Sequence, residues 1–191
     1  MADITIIGNG NMGKAIASVL TDGGSTTQLL GADDAAKPVR GDIVVLAVPY
    51  AALGQIVNER GDELAGRIVV DITNPVDFQT FDALLVPANS SAAAELAEAL
   101  PESRVVKAFN TTFAGTLVGG TVGTNATTVL VAGDDAGAKS AIIEAIAGSG
   151  VRAVDAGPLA RARELEALGF LQNTLAAAEK TTWGAGFALV A

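Results

Sequence analysis

Ile4-Thr5-Ile6-Ile7-Gly8-Asn9-Gly10-Asn11-Met12-Gly13 is the stretch on which the reading of this chain turns. Ile4 to Ile7 is a β-branched run closed by glycine, which predicts a short buried strand. From Asn11 to Leu20 the residues Met12, Ile16 and Leu20 recur at helical spacing, so a helix is expected directly after the strand. Between them lies G-x-G-x-x-G, a weak pattern alone in a chain with 22 glycines. It gains meaning from standing between a strand and a helix. There Gly8 permits a tight turn, Gly10 lets the backbone approach a pyrophosphate, and Gly13 brings the helix close to the strand. Asn9, Asn11 and Met12 complete the loop, and the helix N-terminus offers unpaired N–H groups and a positive dipole end to phosphates. The loop reads as a dinucleotide cradle; an ordinary glycine turn is the alternative.

Outward from this unit, strands and helices alternate. Thr27 to Leu30 is strand-like and ends at Gly31, and residues 32–41 leave little room for a crossover helix. Ile43 to Val48 is a buried strand stopped by Pro49, followed by a helix over 51–59 and a strand at Ile68-Val69-Val70 running into Asp71. Residues 73–90 read as loop. Ser91 caps a helix through Leu100, and Arg104 to Lys107 forms the next strand. Strands at Thr127–Val131 and Val151–Val154 flank a helix over 134–147. A long helix from Leu159 to Glu179 and an apolar tail from Trp183 to Ala191 close the chain. The pattern predicts an α/β, Rossmann-type doubly wound fold with a mainly parallel sheet and a C-terminal long helix. Residues 1–157 form the dinucleotide-binding domain, and 158–191 a helix and tail packed on it or on a partner subunit.

Composition narrows the chemistry. Histidine and cysteine are absent from the 191 residues, which excludes Cys/His zinc sites, haem ligation by either residue, disulfides and Ser-His-Asp triads. No metal site is expected. With 12 basic against 21 acidic side chains and a net charge of −9, nucleic acid and anionic membrane surfaces are poor partners. No apolar run approaches the ~18 residues of a spanning helix. Met1-Ala2-Asp3 leads into the first strand with no basic region ahead of it, so the cytoplasm is the expected compartment. The 37 alanines and 22 glycines suit helices packed closely on both faces of a sheet, and a genome-level bias would account for the alanine equally well.

Ligands of doubly wound sheets lie outside the C-terminal strand ends. Ala32 and Asp33 follow the second strand, and Asp33 stands 20 positions after Gly13, where a carboxylate accepts from adenosine ribose hydroxyls. That favours NAD, while Lys37 and Arg40 stand close enough to neutralise a 2′-phosphate if the loop folds back; a solvated turn is the third option. Three further loops qualify: Ala47-Val48-Pro49-Tyr50, Asp71-Ile72-Thr73-Asn74-Pro75 and Lys107-Ala108-Phe109-Asn110-Thr111-Thr112. Their small residues and prolines give a nicotinamide a flat wall, with Asn74 or Asn110 holding its carboxamide. Lys107 reads as a solvated strand-end lysine. Arg161 and Arg163 read as pairing locally with Glu164 or Glu166.

The glycine loop Gly8–Gly13, the Ala47-Val48-Pro49-Tyr50 strand end, and Asp155-Ala156-Gly157-Pro158-Leu159 with Arg163, Glu164 and Leu165 occur in an order that resembles the NADP oxidoreductases dependent on coenzyme F420, a deazaflavin. The likeness covers nearly the whole chain. The Lys107–Thr111 segment is similar to a short bacterial branch of dinucleotide-binding oxidoreductases within that family. The resemblance implies a Rossmann domain, a C-terminal helical element, a homodimer, and hydride exchange between NADP(H) and a flat acceptor. The family places Ser/Thr-Arg after the second strand, where this chain has Ala32-Asp33. Asn110 stands where the deazaflavin reductases carry a histidine near the acceptor.

Hydride transfer between planar rings rests on proximity and orientation and needs no histidine base. The leading expectation is therefore an NAD(P)-dependent oxidoreductase acting on a small-molecule deazaflavin, flavin or quinone-like acceptor, with NADP as cofactor and NAD as the alternative. No catalytic side chain is identified. A non-catalytic NAD(P)-binding sensor is the alternative. Imine or hydroxyacid reductases related to the pyrroline-carboxylate reductases need a larger helical domain than the single long helix here. The apolar tail from Phe187 to Val190 suggests subunit contact or packing on its own domain.

Overall fold

The computed structural model describes residues 2–190. β1 (Asp3–Ile7) leads through the glycine loop into α1 (Asn11–Asp22), and the chain returns as β2 (Thr26–Leu30). A single 3-10 turn, Ala32–Asp34, stands where a crossover helix would follow, and the chain passes to β3 (Ile43–Leu46). α2 (Leu53–Leu64), β4 (Ile68–Asp71), α3 (Ala92–Ala99) and β5 (Arg104–Lys107) continue the alternation. α4 (Ala114–Gly119) and a ribbon of β6 (Thr121–Val122) and β7 (Asn125–Ala126) then turn the chain. β8 (Thr128–Gly133), α5 (Ala136–Ile146), β9 (Arg152–Gly157) and α6 (Ala162–Ala177) complete it.

The main sheet has seven strands in the order β2-β1-β3-β4-β5-β8-β9. β1 to β5 are parallel, β8 meets β5 antiparallel, and β9 is parallel to β8. The mainly parallel, doubly wound expectation holds. The chain moves outward from β1 to β2 and then returns to the other side of β1 as β3, so the topological switch point lies between β1 and β3. Ligand crevices of this architecture open there.

Central strands of such a sheet are buried on both faces, which is why β3 and β4 read as unbroken apolar runs. Ile4, Ile6, Val45 and Val70 face Ile16 and Leu20 of α1 and Ile142 and Ile146 of α5. Ile7, Val44, Leu46 and Val69 face Leu53 and Leu64 of α2 and Leu96 of α3 on the opposite side. Ser91 caps α3 as expected, its Oγ accepting from Ala94 N–H at 3.0 Å. Asp135 caps α5 in the same way, through Ala138 N–H at 2.7 Å. The last helix is shorter than its apolar pattern suggests: Leu159–Arg161 form a 3-10 turn and the α-helix starts at Ala162. α4 and the β6–β7 ribbon carry too few residues for a periodic signal and have no counterpart in the sequence reading.

Candidate functional site

The glycine loop has a distinct steric role at each position. Gly8 adopts φ +118°, and a Cβ there would lie 2.0 Å from the Ala47 carbonyl oxygen. A Cβ on Gly13 would lie 1.9 Å from the Gly8 carbonyl oxygen, so α1 reaches β1 only through a bare backbone. Gly10 differs, because nothing lies within 4 Å of the Cβ it lacks. It occupies the N-cap of α1, and no side chain caps that helix. The first turn of α1 therefore points uncapped N–H groups and its positive dipole end at open space. Gly8 N–H donates to Leu30 O at 2.8 Å and Ala47 N–H to Ile7 O at 2.7 Å, which clamps the loop between the ends of β2 and β3.

A cavity of about 450 Å³ opens at this switch point, lined by Gly8, Asn9 and Gly10 on one side, by Ala32 below, and by Ala47, Val48 and Pro49 across. Asp33 lies beyond the wall residue Ala32, in the same 3-10 turn, with its side chain exposed. A second cavity of about 470 Å³ begins at the next loop residues, Asn11 and Met12, and includes Asn74 and Asn110. Phe113 and Trp183 also line it, with ring centroids 5.1 Å apart. Eleven of the fourteen expected positions thus lie in these walls; Gly13, Asp33 and Pro75 do not. Gly13 is buried under the loop, and Pro75 is buried away from both cavities, its carbonyl accepting from Leu85 N–H at 2.6 Å.

The two asparagines form one unit. Asn74 Nδ2 donates to Asn110 O at 2.8 Å, and Asn110 Nδ2 donates to Asn74 Oδ1 and to Leu165 O of α6, each at 2.9 Å. Both Nδ2 hydrogens of Asn110 are thereby used, which fixes the amide orientation. Its buried Oδ1 has no partner. Phe109, just before it, has φ +63°, and Asn110 N–H closes a three-residue turn onto Ala108 O at 2.8 Å. A bulky residue in this conformation is strained, and the site walls are where such strain accumulates.

Lys107 is not a solvated strand-end lysine. It is wholly buried, with Nζ 2.8 Å from Asp71 Oδ2 and 2.7 Å from Glu166 Oε1, and it also donates to the Thr73 carbonyl. Glu166 in turn accepts from the first N–H groups of α3, Ala92 at 2.9 Å and Ala93 at 3.3 Å. One ammonium thus ties β4, β5, α3 and α6 together directly behind the loops that carry Asn74 and Asn110. Burial pushes the Glu166 carboxyl above its ordinary range, and the nearby Asp71 charge adds to that; Lys107 and the Ala92 N–H oppose it. The local pairing expected for Glu166 is replaced by this buried contact, whereas Arg161 does pair with Glu164, at 3.4 Å on the surface.

The loop after β2 is held by Arg60 of α2, a residue with no motif around it in the sequence. Arg60, only 6% exposed, donates to Lys37 O at 3.0 Å, Asp34 O at 3.1 Å, Ala35 O at 2.8 Å and Glu63 Oε1 at 3.1 Å. Asp34 accepts from Gly31 N–H at 2.9 Å and pairs with Lys37 at 2.7 Å. These contacts hold its carboxyl below the usual range, the Lys37 hydrogen bond most strongly. Tyr50, next to Pro49 of the wall, donates to Glu95 Oε2 at 2.7 Å. Its hydroxyl is pushed up to about 12, first by burial and then by that carboxylate. Among the described residues no cluster of acidic groups could hold a metal ion, and no helix is long and apolar enough to cross a membrane.

A sheet with a glycine-lined helix N-terminus at its switch point defines a Rossmann-type protein. Residues 24–75 match the family described as NADP oxidoreductase, coenzyme F420-dependent. The chain is 32% identical over 161 residues to the F420-dependent NADP reductase of Methanocaldococcus jannaschii, an alignment spanning 81% of this chain and 71% of that protein. A crystal structure of a protein from Arthrobacter sp. FB24, proposed to be an F420-dependent NADP reductase, superposes with a TM-score of 0.84 at 25% identity over 100% of both chains. A hypothetical protein from Sinorhizobium meliloti gives 0.70 at 29% identity, over 84% of this chain and 87% of that one. The chain belongs to the coenzyme F420-dependent NADP oxidoreductase family.

Proposed function

We propose that this chain is a nicotinamide-dinucleotide oxidoreductase that passes hydride between the cofactor and a planar small-molecule acceptor of the deazaflavin, flavin or quinone class. The observation that carries this reading is the empty space over Gly10, at an uncapped helix N-terminus on the switch point of the sheet. Phosphate needs bare backbone and N–H donors, and those are what the loop presents. The Methanocaldococcus relative is NADP-dependent by name, and the cradle fits the pyrophosphate common to NAD and NADP. When bound, the dinucleotide supplies the hydride. The protein's part is to hold and orient: Gly8 to Gly10 receive the pyrophosphate, Ala47 to Pro49 wall the crevice, and Asn74 and Asn110 fix the polar edge of the ring. Phe113 and Trp183 close the far side of the second cavity with aromatic surface.

In this reading residues 1–157 bind the dinucleotide, while 158–191 brace the asparagine pair through Leu165 and supply Trp183 to the second cavity. Phe187, Leu189 and Val190 are exposed on the tail and suit a homodimer contact, which sedimentation at several concentrations tests. The functional experiment is anaerobic mixing of NADPH and NADH with a panel of flavin, deazaflavin and quinone acceptors. Loss of reduced-nicotinamide absorbance with at least one acceptor supports the proposal. Tight dinucleotide binding with no turnover on the whole panel favours a binding protein instead.

A further inference from the structure

We infer that the adenosine end of the crevice selects the unphosphorylated ribose of NAD(H), with Asp33 as the discriminating residue; this rests on the dinucleotide reading above. Dinucleotide sites of this fold read the 2′ position with the side chain that follows the second strand, a carboxylate for a hydroxyl and an arginine for a phosphate. Here β2 ends at Leu30 beside Gly8, and the next turn carries Asp33. Its exposed carboxylate has no hydrogen-bond or ion-pair partner among the described residues, so it is available to accept from ribose hydroxyls. Glu59 lines the same cavity and adds a second negative charge.

The neighbouring cations are paired or set back from this turn. Lys37 is paired with Asp34 at 2.7 Å. Arg60 lines the cavity, but its guanidinium is turned into the loop and donates to three backbone carbonyls and Glu63. The backbone of Arg40 is anchored beside the middle of β1, three residues before Gly8. The Arg40 N–H donates to Thr5 Oγ1 at 2.9 Å, and a Cβ on the adjacent Gly41 would meet Asp3 O at 1.8 Å. Thr5 and Asp3 precede the glycine loop on β1, and each strand residue adds about 3.3 Å. A 2′-phosphate at this turn therefore meets carboxylates, with Lys37 and Arg60 engaged and the Arg40 backbone about 10 Å back along β1.

The test is the dissociation constant of the purified chain for NADH and for NADPH, at low and at high salt. The expected result is tighter binding of NADH by at least about tenfold at low salt, narrowing as salt screens the repulsion. Asp33→Asn is expected to shrink the preference, and Asp33→Arg to reverse it; both variants are expected to unfold at the wild-type denaturant midpoint because the residue is exposed. NADPH binding as tightly as NADH, or tighter, overturns the inference and leaves the dinucleotide reading standing. Failure to bind either nucleotide overturns both.

Discussion

Lys107 Nζ lies 2.7 Å from Glu166 Oε1 with neither side chain exposed to solvent, although 59 residues separate them in sequence. The contact joins the end of β5 to α6 and so sets where α6 stands over Asn110. Removing the ammonium leaves Asp71 and Glu166 buried against each other. Lys107→Met is expected to destabilise the fold by about 3–5 kcal/mol, the usual loss when one partner of a buried ion pair is deleted. Adding Glu166→Gln to that variant removes one uncompensated charge and is expected to recover part of the loss. Urea unfolding of the single and double variants measures both effects.

Glu166 also makes stability depend on pH. Its folded carboxyl titrates above the ordinary range, chiefly through burial. The protonated form is thus favoured by folding. That contribution is fully present below the unfolded value of about 4.3 and is lost as pH rises through the folded value. The denaturation midpoint of Glu166→Gln is expected to show a shallower decline than wild type over this interval. Identical pH profiles for the two proteins contradict the assignment.

The glycine loop separates stability from binding. Gly10 has φ −70° and ψ −173°, a conformation open to any residue, and its missing Cβ faces empty space. Gly10→Ala is expected to change stability by no more than about 1 kcal/mol, the entropy gained by losing a glycine being offset by alanine's poor fit to an N-cap, while weakening dinucleotide binding by occupying the approach to the loop. Gly13→Ala is expected to do the opposite first, because its Cβ would stand 1.9 Å from a backbone oxygen and the helix must move. Thermal melting alongside calorimetric titration with NADH distinguishes the two outcomes.

What could be read in advance was local, and what could not was long-range. Strand, glycines and helix from Ile4 to Leu20 stand next to one another, so their spacing carries the fold class and the glycine-loop side of the cavity wall. Lys107 looked like an exposed lysine because Asp71 and Glu166, 36 and 59 positions away, are brought to it only by the sheet register and the return of α6. The role of Arg60 is hidden for the same reason: on α2 it reads as one charge on a polar face, and its carbonyl partners lie in the loop before β3. The antiparallel entry of β8 follows from α4 and the β6–β7 ribbon, elements too short for a periodic signal. Trp183 carried a hint, as the single tryptophan in a tail with no evident core to join.

Tyr50 is the single tyrosine and so reports on its own site. Burial first, and the Glu95 carboxylate second, push its hydroxyl up to about 12, against about 10 for an unperturbed tyrosine. The stabilising contribution of the protonated hydroxyl is present below the unfolded value and lost as pH rises through the folded one. Phenolate absorbance in the folded chain is expected to appear only as the pH approaches the raised value. An ordinary titration with the fold intact contradicts the Tyr50–Glu95 contact.

The central claim, that this crevice aligns a nicotinamide with a planar acceptor, is tested most directly by isotope transfer. Reduced dinucleotide carrying deuterium on one face of the nicotinamide C4 is incubated anaerobically with the protein and with deazaflavin, flavin or quinone acceptors, and the products are examined by mass spectrometry. A shaped slot predicts stereospecific transfer: label from one face only, recovered in a reduced deazaflavin, whose carbon-bound hydrogen does not wash out. Loss of label from both faces alike, or tight binding with no acceptor reduced, contradicts it.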